Sequence, residues 1–188
     1  MDTCAVGGDK VNNALWRAGK GGAVEALAAA GKAAKTDVFI MLGINDVTMR
    51  ADSGTETVIS DVVGGVFALA TKLKTRIQGY YTRIHVLEVP MLPMYQIPGN
   101  EGMREEAEYI NDTFRKISAR FTWFKVHGWE NEFLHHPEWL ISPNDVHLNT
   151  NGYIVFARLL RSLILQQKDF QDGEDGEVNP SQEKSSVI

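Results

Sequence analysis

The feature that most constrains the fold is an alternation of short apolar runs with longer stretches of helical periodicity. The runs are rich in strand-forming residues and nearly continuous in apolar character, the pattern of strands that are covered on both faces. They lie at Asp37–Leu42, Ile84–Val89 and Thr122–Val126. Strands that alternate with helices predict a parallel sheet flanked by helices on both sides, joined by right-handed crossovers. The first run is expected to be a central strand, and the third, which alternates more, an edge strand.

The stretches between and after these runs carry apolar residues at spacings of three and four, which place them on one face of a helix. The stripes are Val58, Val62, Val66, Leu69, Leu73 and Ile77; then Ala107, Ile110, Phe114, Ile117 and Phe121; and last Ile154, Ala157, Leu160 and Ile164. Gly64 and Gly65 weaken the first helix but allow close packing against it. Near the start, the sequence predicts a strand at Met1–Val6 and an alanine-rich helix at Val24–Ala34.

Composition indicates one soluble globular domain with a hydrophobic core. Apolar residues make up 44% and charged residues 23% of the 188-residue chain, a typical globular balance. The formal net charge of -5 provides no basic surface for nucleic acid. Cys4 is the single cysteine, which excludes an intrachain disulfide and a thiolate metal cluster. No segment has the features of a signal peptide or a membrane span, so a cytoplasmic location is expected.

The domain is expected to comprise residues 1–167, followed by an acidic, disordered tail at 168–188 that has little apolar surface to bury. The final residues Ser186–Ile188 fit a short PDZ-ligand pattern, so a weak C-terminal contact with a PDZ domain is one hypothesis. No cofactor and no metal are expected. The glycine–lysine pairs lack the remaining residues of a phosphate-binding loop, and the adjacent His135 and His136 have no spaced carboxylate to complete a ligand set.

Three short polar segments are expected at the carboxyl edge of the sheet, where the functional crevice of an open parallel sheet lies. In Gly43–Asp46, the amide of Asn45 can donate to a developing oxyanion. In Asn144–Asn149, His147 can act as a general base oriented by a carboxylate or amide neighbour. The turn at Val6–Asp9 can supply a backbone N–H as a second oxyanion donor. Singly, an Asn-Asp pair also fits a helix cap and a loop histidine also fits a structural role, but the combination favours an active site.

These motifs resemble those of the SGNH (GDSL-type) hydrolases, which cleave esters, thioesters or acetyl groups on lipids, carbohydrates and similar substrates. Gly43–Asp46 matches the family's third block, G-x-N-D, and Asn144–Gly152 approaches the final block, D-x-x-H-L-N. The resemblance implies a three-layer α/β/α, flavodoxin-like fold. It also implies His147 as the catalytic base, Asn45 and Gly8 as oxyanion donors, and a small ester or acylated ligand.

The resemblance covers about Thr3 to Leu165, but two departures predict that this chain alone is inactive. The family's first block, G-D-S, supplies the nucleophile from a strand and helix upstream of the second-block glycine. No serine precedes Ser53, so the nucleophile and the sheet's first strand and helix are expected to be absent. In the final block, Asn144 replaces the aspartate. Asp145 is one residue too late, although it could substitute if the loop shifts. The same Asp→Asn change costs a serine protease about 10⁴-fold in rate.

Two functional hypotheses stay open. The first is an ester hydrolase by descent, an N-terminally incomplete chain whose longer form, with an upstream strand and a Gly-Asp-Ser segment, could be active. The second is a binding module whose crevice, with Asn45 and His147, holds an acylated ligand without turning it over. The segment Met91–Gly102 likewise has two interpretations, an apolar lip over the site or a loop that packs on the core.

Overall fold

The structure is a computed structural model that describes residues 6–19, 22, 25, 36–49, 54–77, 82–128 and 132–174. The strands are β1 (Thr36–Ile40), β2 (Thr82–Leu87) and β3 (Phe124–His127). The α-helices are α1 (Val11–Arg17), α2 (Ile44–Thr48), α3 (Thr55–Arg76), α4 (Glu101–Arg120), α5 (Glu132–His135) and α6 (Thr150–Glu174). Short 3₁₀ helices lie at Pro93–Gln96 and Pro137–Trp139.

The described strands form one parallel sheet in the order β1-β2-β3. Val38 of β1 lies opposite Ile84 of β2, which lies opposite Phe124 of β3. This confirms the predicted α/β class with a parallel sheet, and β3 is an edge strand of the described sheet. The sequence predicts a central position for β1, but within the described residues β2 is central. The predicted strand at Met1–Val6 lies outside the described residues, apart from Val6.

Helices α3 and α4 connect successive strands and contact each other, so they cover the same face of the sheet. The ring of Phe124 packs against Phe67 of α3 and Phe114 of α4, which identifies this face. The predicted stripe of α3 is buried, and its six residues are at most 7% exposed. The stripe of α4 is buried at Ala107, Ile110 and Phe114, while Phe121 is 39% exposed. Burial of these stripes supplies the main hydrophobic stabilisation.

The buried face of the last helix differs from the prediction. Of the predicted stripe, Ile154 is 45% exposed and Ala157 is also exposed. Leu160 of the stripe contacts the core as predicted, but its partners there are Phe156, Leu159 and Leu163. Apolar residues lie on more than one side of α6, so spacing alone does not determine which side is buried. Gly152 is buried, and a Cβ there would overlap the carbonyl of Trp139 and come within 3.1 Å of the Leu148 side chain.

Helix α6 continues to Glu174, so the predicted start of the tail at Lys168 falls within this helix. Residues 175–188, with the PDZ-ligand pattern, lie outside the described residues. So does the predicted helix at Val24–Ala34, apart from Glu25. None of the helices that the structure describes is long and apolar enough to cross a bilayer.

Candidate functional site

The Gly43–Asp46 motif forms the tight connection between β1 and α2. Gly43 has φ +107°, a conformation that favours glycine. A Cβ at this position would lie 2.9 Å from Val62 Cγ1 and 3.0 Å from Val89 Cγ2. Glycine therefore allows the chain to turn against the core, and it places Asn45 and Asp46 in the first turn of α2 at the carboxyl edge of the sheet.

Asn45 and Asp46 bind the segment that follows the predicted oxyanion turn. Asn45 Nδ2 donates to the carbonyl of Asp9 at 3.0 Å. The backbone N–H of Val11 donates to both carboxylate oxygens of Asp46, at 3.3 and 3.2 Å. Asp46 is only 7% exposed; burial raises the pKa of this carboxyl, while the Val11 hydrogen bond opposes the rise. The structure thus brings the Gly43–Asp46 motif and the Val6–Asp9 turn together.

Gly8 lies in an open turn next to this anchored segment. Its φ is +77°, and a Cβ built on it would contact nothing within 4 Å. The turn is closed by the N–H of Asp9, which donates to the carbonyl of Val6 at 3.3 Å, and Asp9 also forms an ion pair with Arg17. A side-chain amide has two N–H donors, and Asn45 uses one of them on Asp9. Within the described residues, the second N–H makes no hydrogen bond, and it lies beside the exposed Gly8 turn.

His147 lies in a loop that is held at its base by backbone and amide hydrogen bonds. Leu140 and Leu148 form an antiparallel bridge, and the N–H of Ile141 donates to the carbonyl of His147 at 3.0 Å. Asn149 Nδ2 donates to the carbonyls of Glu138 and Leu140 at 2.6 and 2.9 Å. These contacts fix the loop between the 3₁₀ helix at Pro137–Trp139 and the start of α6.

The partner of His147 is Asp145 and not Asn144. Asp145 Oδ1 lies 2.6 Å from His147 Nδ1 and accepts the backbone N–H of His147 at 2.9 Å. The sequence predicts that Asp145 is one residue too late, but the turn closed by its N–H on the Ser142 carbonyl at 3.0 Å brings its carboxylate back onto the imidazole. The backbone N–H of His147, followed by its imidazole, holds the pKa of Asp145 below its usual value. The His147 side chain is 59% exposed.

The predicted site residues therefore form two pairs, the Gly8 turn with Asn45 and Asp145 with His147. Asn144 is exposed, and no hydrogen bond joins the two pairs within the described residues. Ile44 beside the first pair and Val146 beside the second both pack on the same hydrophobic core. The two pairs are thus parts of one packed domain.

The segment Met91–Gly102 packs on the core and does not form a wholly exposed lip. Leu92 and Tyr95 are each 1% exposed, while Ile97 is 38% exposed. Asn100 Nδ2 donates to the carbonyl of Met94 at 3.1 Å, which stabilises the turn after the 3₁₀ helix. Of the two interpretations that the sequence leaves open, core packing describes the buried residues of this segment.

Two buried polar groups lie near the sheet, outside the three predicted motifs. Asn111 on α4 accepts the N–H of Val89 at 2.8 Å and donates to its carbonyl at 2.9 Å. His85, in the middle of an apolar strand, is fully buried and hydrogen bonded to Asp37 and His127. For His85, the signal in the sequence is a polar residue inside an otherwise apolar run, because a buried polar group requires a partner.

A comparison with protein-family models found no match to the chain, and a search of curated proteins also found no match. Within the described ranges, no group of three or more His, Cys, Asp or Glu side chains is arranged to hold a metal ion.

Proposed function

We propose that the two pairs form part of an ester-binding site of the SGNH hydrolase type, within a three-layer flavodoxin-like domain. The observation that carries the proposal is the 2.6 Å contact between Asp145 Oδ1 and His147 Nδ1. A carboxylate on Nδ1 favours the tautomer that leaves Nε2 as the base, and it stabilises the imidazolium that forms when this base accepts a proton. The exposed imidazole is accessible to a small substrate.

The oxyanion half of the proposed site is the free N–H of Asn45 with the backbone N–H of Gly8. Donors that are already oriented stabilise a developing negative charge without reorganisation. The hydrogen bond from Asn45 to the Asp9 carbonyl orients the amide and the turn together. This arrangement supports binding of a carbonyl oxygen from an ester or acetyl group.

The family's nucleophile has no counterpart in this sequence, since no serine precedes Ser53. A base and oxyanion donors without a nucleophile supply only part of the mechanism. We therefore propose that this chain by itself catalyses only slow, histidine-dependent hydrolysis of activated esters. The same feature favours the second candidate, a binding module that holds an acylated ligand without turnover.

The test is hydrolysis of a short-chain nitrophenyl ester by the purified chain. His147→Ala is expected to lower the rate about tenfold, a modest part of what a general base contributes in a complete enzyme. Asp145→Asn is expected to lower it several-fold, because an amide does not stabilise the imidazolium. Asn144→Ala and His135→Ala are the matched controls, and neither is expected to change the rate.

Labelling with a fluorophosphonate probe provides the second readout. We expect no stoichiometric labelling of the chain; stoichiometric labelling would contradict the proposal, because a serine outside the described arrangement would then be acting. Equal rates for wild type and His147→Ala would contradict the assigned base. In that case, saturable chemical-shift changes at the Asn45 side chain on addition of a short acyl amide would favour the binding-module hypothesis.

A further inference from the structure

A chain of hydrogen bonds crosses one face of the sheet and links all three described strands. Asp37 Oδ1 lies 3.1 Å from His85 Nε2, and His85 Nδ1 lies 2.8 Å from His127 Nε2. His85 and His127 stack with centroids 5.1 Å apart, and Phe39 stacks on the other side of His85 at 4.7 Å. In the strand register Phe39 lies opposite His85. Both are one residue along from Val38 and Ile84, which share with Phe124 the face covered by α3 and α4. The chain therefore lies on the opposite face of the sheet.

The geometry of the Asp37–His85–His127 hydrogen bonds limits the number of protons that these three side chains can hold. When both rings are neutral, His85 donates from Nε2 to the carboxylate and accepts at Nδ1 from His127 Nε2–H. One added proton is tolerated, because either ring can carry it while each of the two contacts keeps one donor and one acceptor. Two added protons would place an N–H on both sides of the 2.8 Å contact between the rings. The rings would then have to separate.

Burial and the neighbouring positive charges both lower the pKa of His127. The side chain of His85 is fully buried, and His127 is half-buried. Within the described residues, two charged groups face these hydrogen-bonded side chains. They are Arg83, which donates to Asp37 at 3.1 Å, and Lys125 on β3. Burial, then the positive charges of His85 and Lys125, lowers the pKa of His127 to about 4. The His85 hydrogen bond, opposed by burial and aided by Arg83, holds the pKa of Asp37 below its ordinary value.

We propose that the Asp37–His85–His127 chain is an acid-sensitive lock on the end of β3, which opens when a second proton enters it. His127 is the last residue of β3, and its carbonyl accepts the N–H of Glu88 at 3.0 Å. Separation of the rings removes the side-chain link at this end of the strand. The polypeptide continues from β3 through α5 to the loop of His147, so we expect acid to loosen that loop as well.

The sign of the stability effect follows from the two protonation states. An unfolded His127 has a pKa near about 6.5, above its value of about 4 in the fold. Between these values the unfolded chain binds more protons, so stability falls as the pH drops through this window. His127→Gln keeps a donor for His85 Nδ1 and removes this titration. We expect the Tm of wild type to fall about 4 °C more than that of His127→Gln between pH 7 and 4.5.

His135→Gln is the matched control, because His135 is exposed, and it is expected to follow the wild-type pH profile. The protection of the Glu88 and Ile141 amides from hydrogen exchange, corrected for the intrinsic rate at each pH, is expected to fall on acidification in wild type and to stay constant in His127→Gln. Identical pH profiles of Tm and exchange for the two proteins would overturn the proposal.

Ring-nitrogen NMR of the wild-type chain tests the lock even if His127→Gln fails to fold. We expect His127 to gain its proton near pH 4 and the 2.8 Å contact between His85 Nδ1 and His127 Nε2 to be lost in the same transition. Independent titration of His127 at the value of an exposed histidine would overturn the proposal.

Discussion

Replacing Asn111 by alanine is expected to lower the free energy of unfolding by about 3 kcal/mol, since each buried backbone group left without a partner costs roughly 1–3 kcal/mol. The Asn111 amide satisfies both the N–H and the carbonyl of Val89 just after β2 ends. Asn111 is 4% exposed and Val89 is 1% exposed, so water does not readily replace the amide. The measurement is equilibrium unfolding in urea at neutral pH.

Asn111→Asp distinguishes these two hydrogen bonds from simple packing. The carboxylate keeps the shape and can accept the Val89 N–H, but it cannot donate to the Val89 carbonyl. We expect this variant to be at least as unstable as Asn111→Ala at neutral pH, and to recover part of its stability as acid protonates the carboxyl. Asp112→Ala, at the exposed neighbouring position on α4, is the control and is expected to change stability by less than about 0.5 kcal/mol. An equal, small effect at both positions would show that the amide does not hold Val89.

Gly64→Ala and Gly65→Ala are expected to change stability in opposite directions, although the two glycines are adjacent in the middle of α3. At Gly64 a Cβ meets nothing within 4 Å, so alanine should stabilise the helix by about 0.5–1 kcal/mol. At Gly65 a Cβ would overlap Val11 Cγ1 and lie 3.3 Å from Leu15 Cδ1 of α1. Overpacking of this kind typically costs about 1–3 kcal/mol.

Thermal unfolding of the two variants side by side checks this difference, since each is the other's control for helix propensity. Val11 is fully buried and its N–H is bound to Asp46, so it cannot move away without displacing α1. Gly65→Ala should therefore also disturb the Gly8 turn, which precedes α1, and broaden the Asn45 side-chain signals in NMR spectra. Stabilisation by both alanines would mean that α1 does not pack against Gly65.

The order of strands and helices can be predicted from the sequence because it depends on local periodicity. The run containing Ile84 and Val86 has apolar residues on both faces of a strand, and only a strand covered on both faces buries all of them. The stripe from Val58 to Leu73 is buried as predicted, because its opposite face is polar enough to leave one choice. The place of Gly43 and Asn45 directly after β1 also follows, since the end of a parallel strand leads to the carboxyl edge.

Contacts between residues that are distant or on irregular backbone could not be predicted in this way. The side of α6 that packs on the core is an example, since its apolar residues alone permit more than one side. The pairing of Asp145 with His147 depends on the turn closed on Ser142, which reverses the chain in a way that residue counting from a family motif does not capture. The sequence by itself thus determined the periodic elements and the place of Asn45 after β1, because hydrophobic spacing and strand ends are local properties. Only the tertiary structure decided which carboxylate orients His147 and that His85 joins Asp37 to His127, because each contact requires the backbone to bring residues together in space.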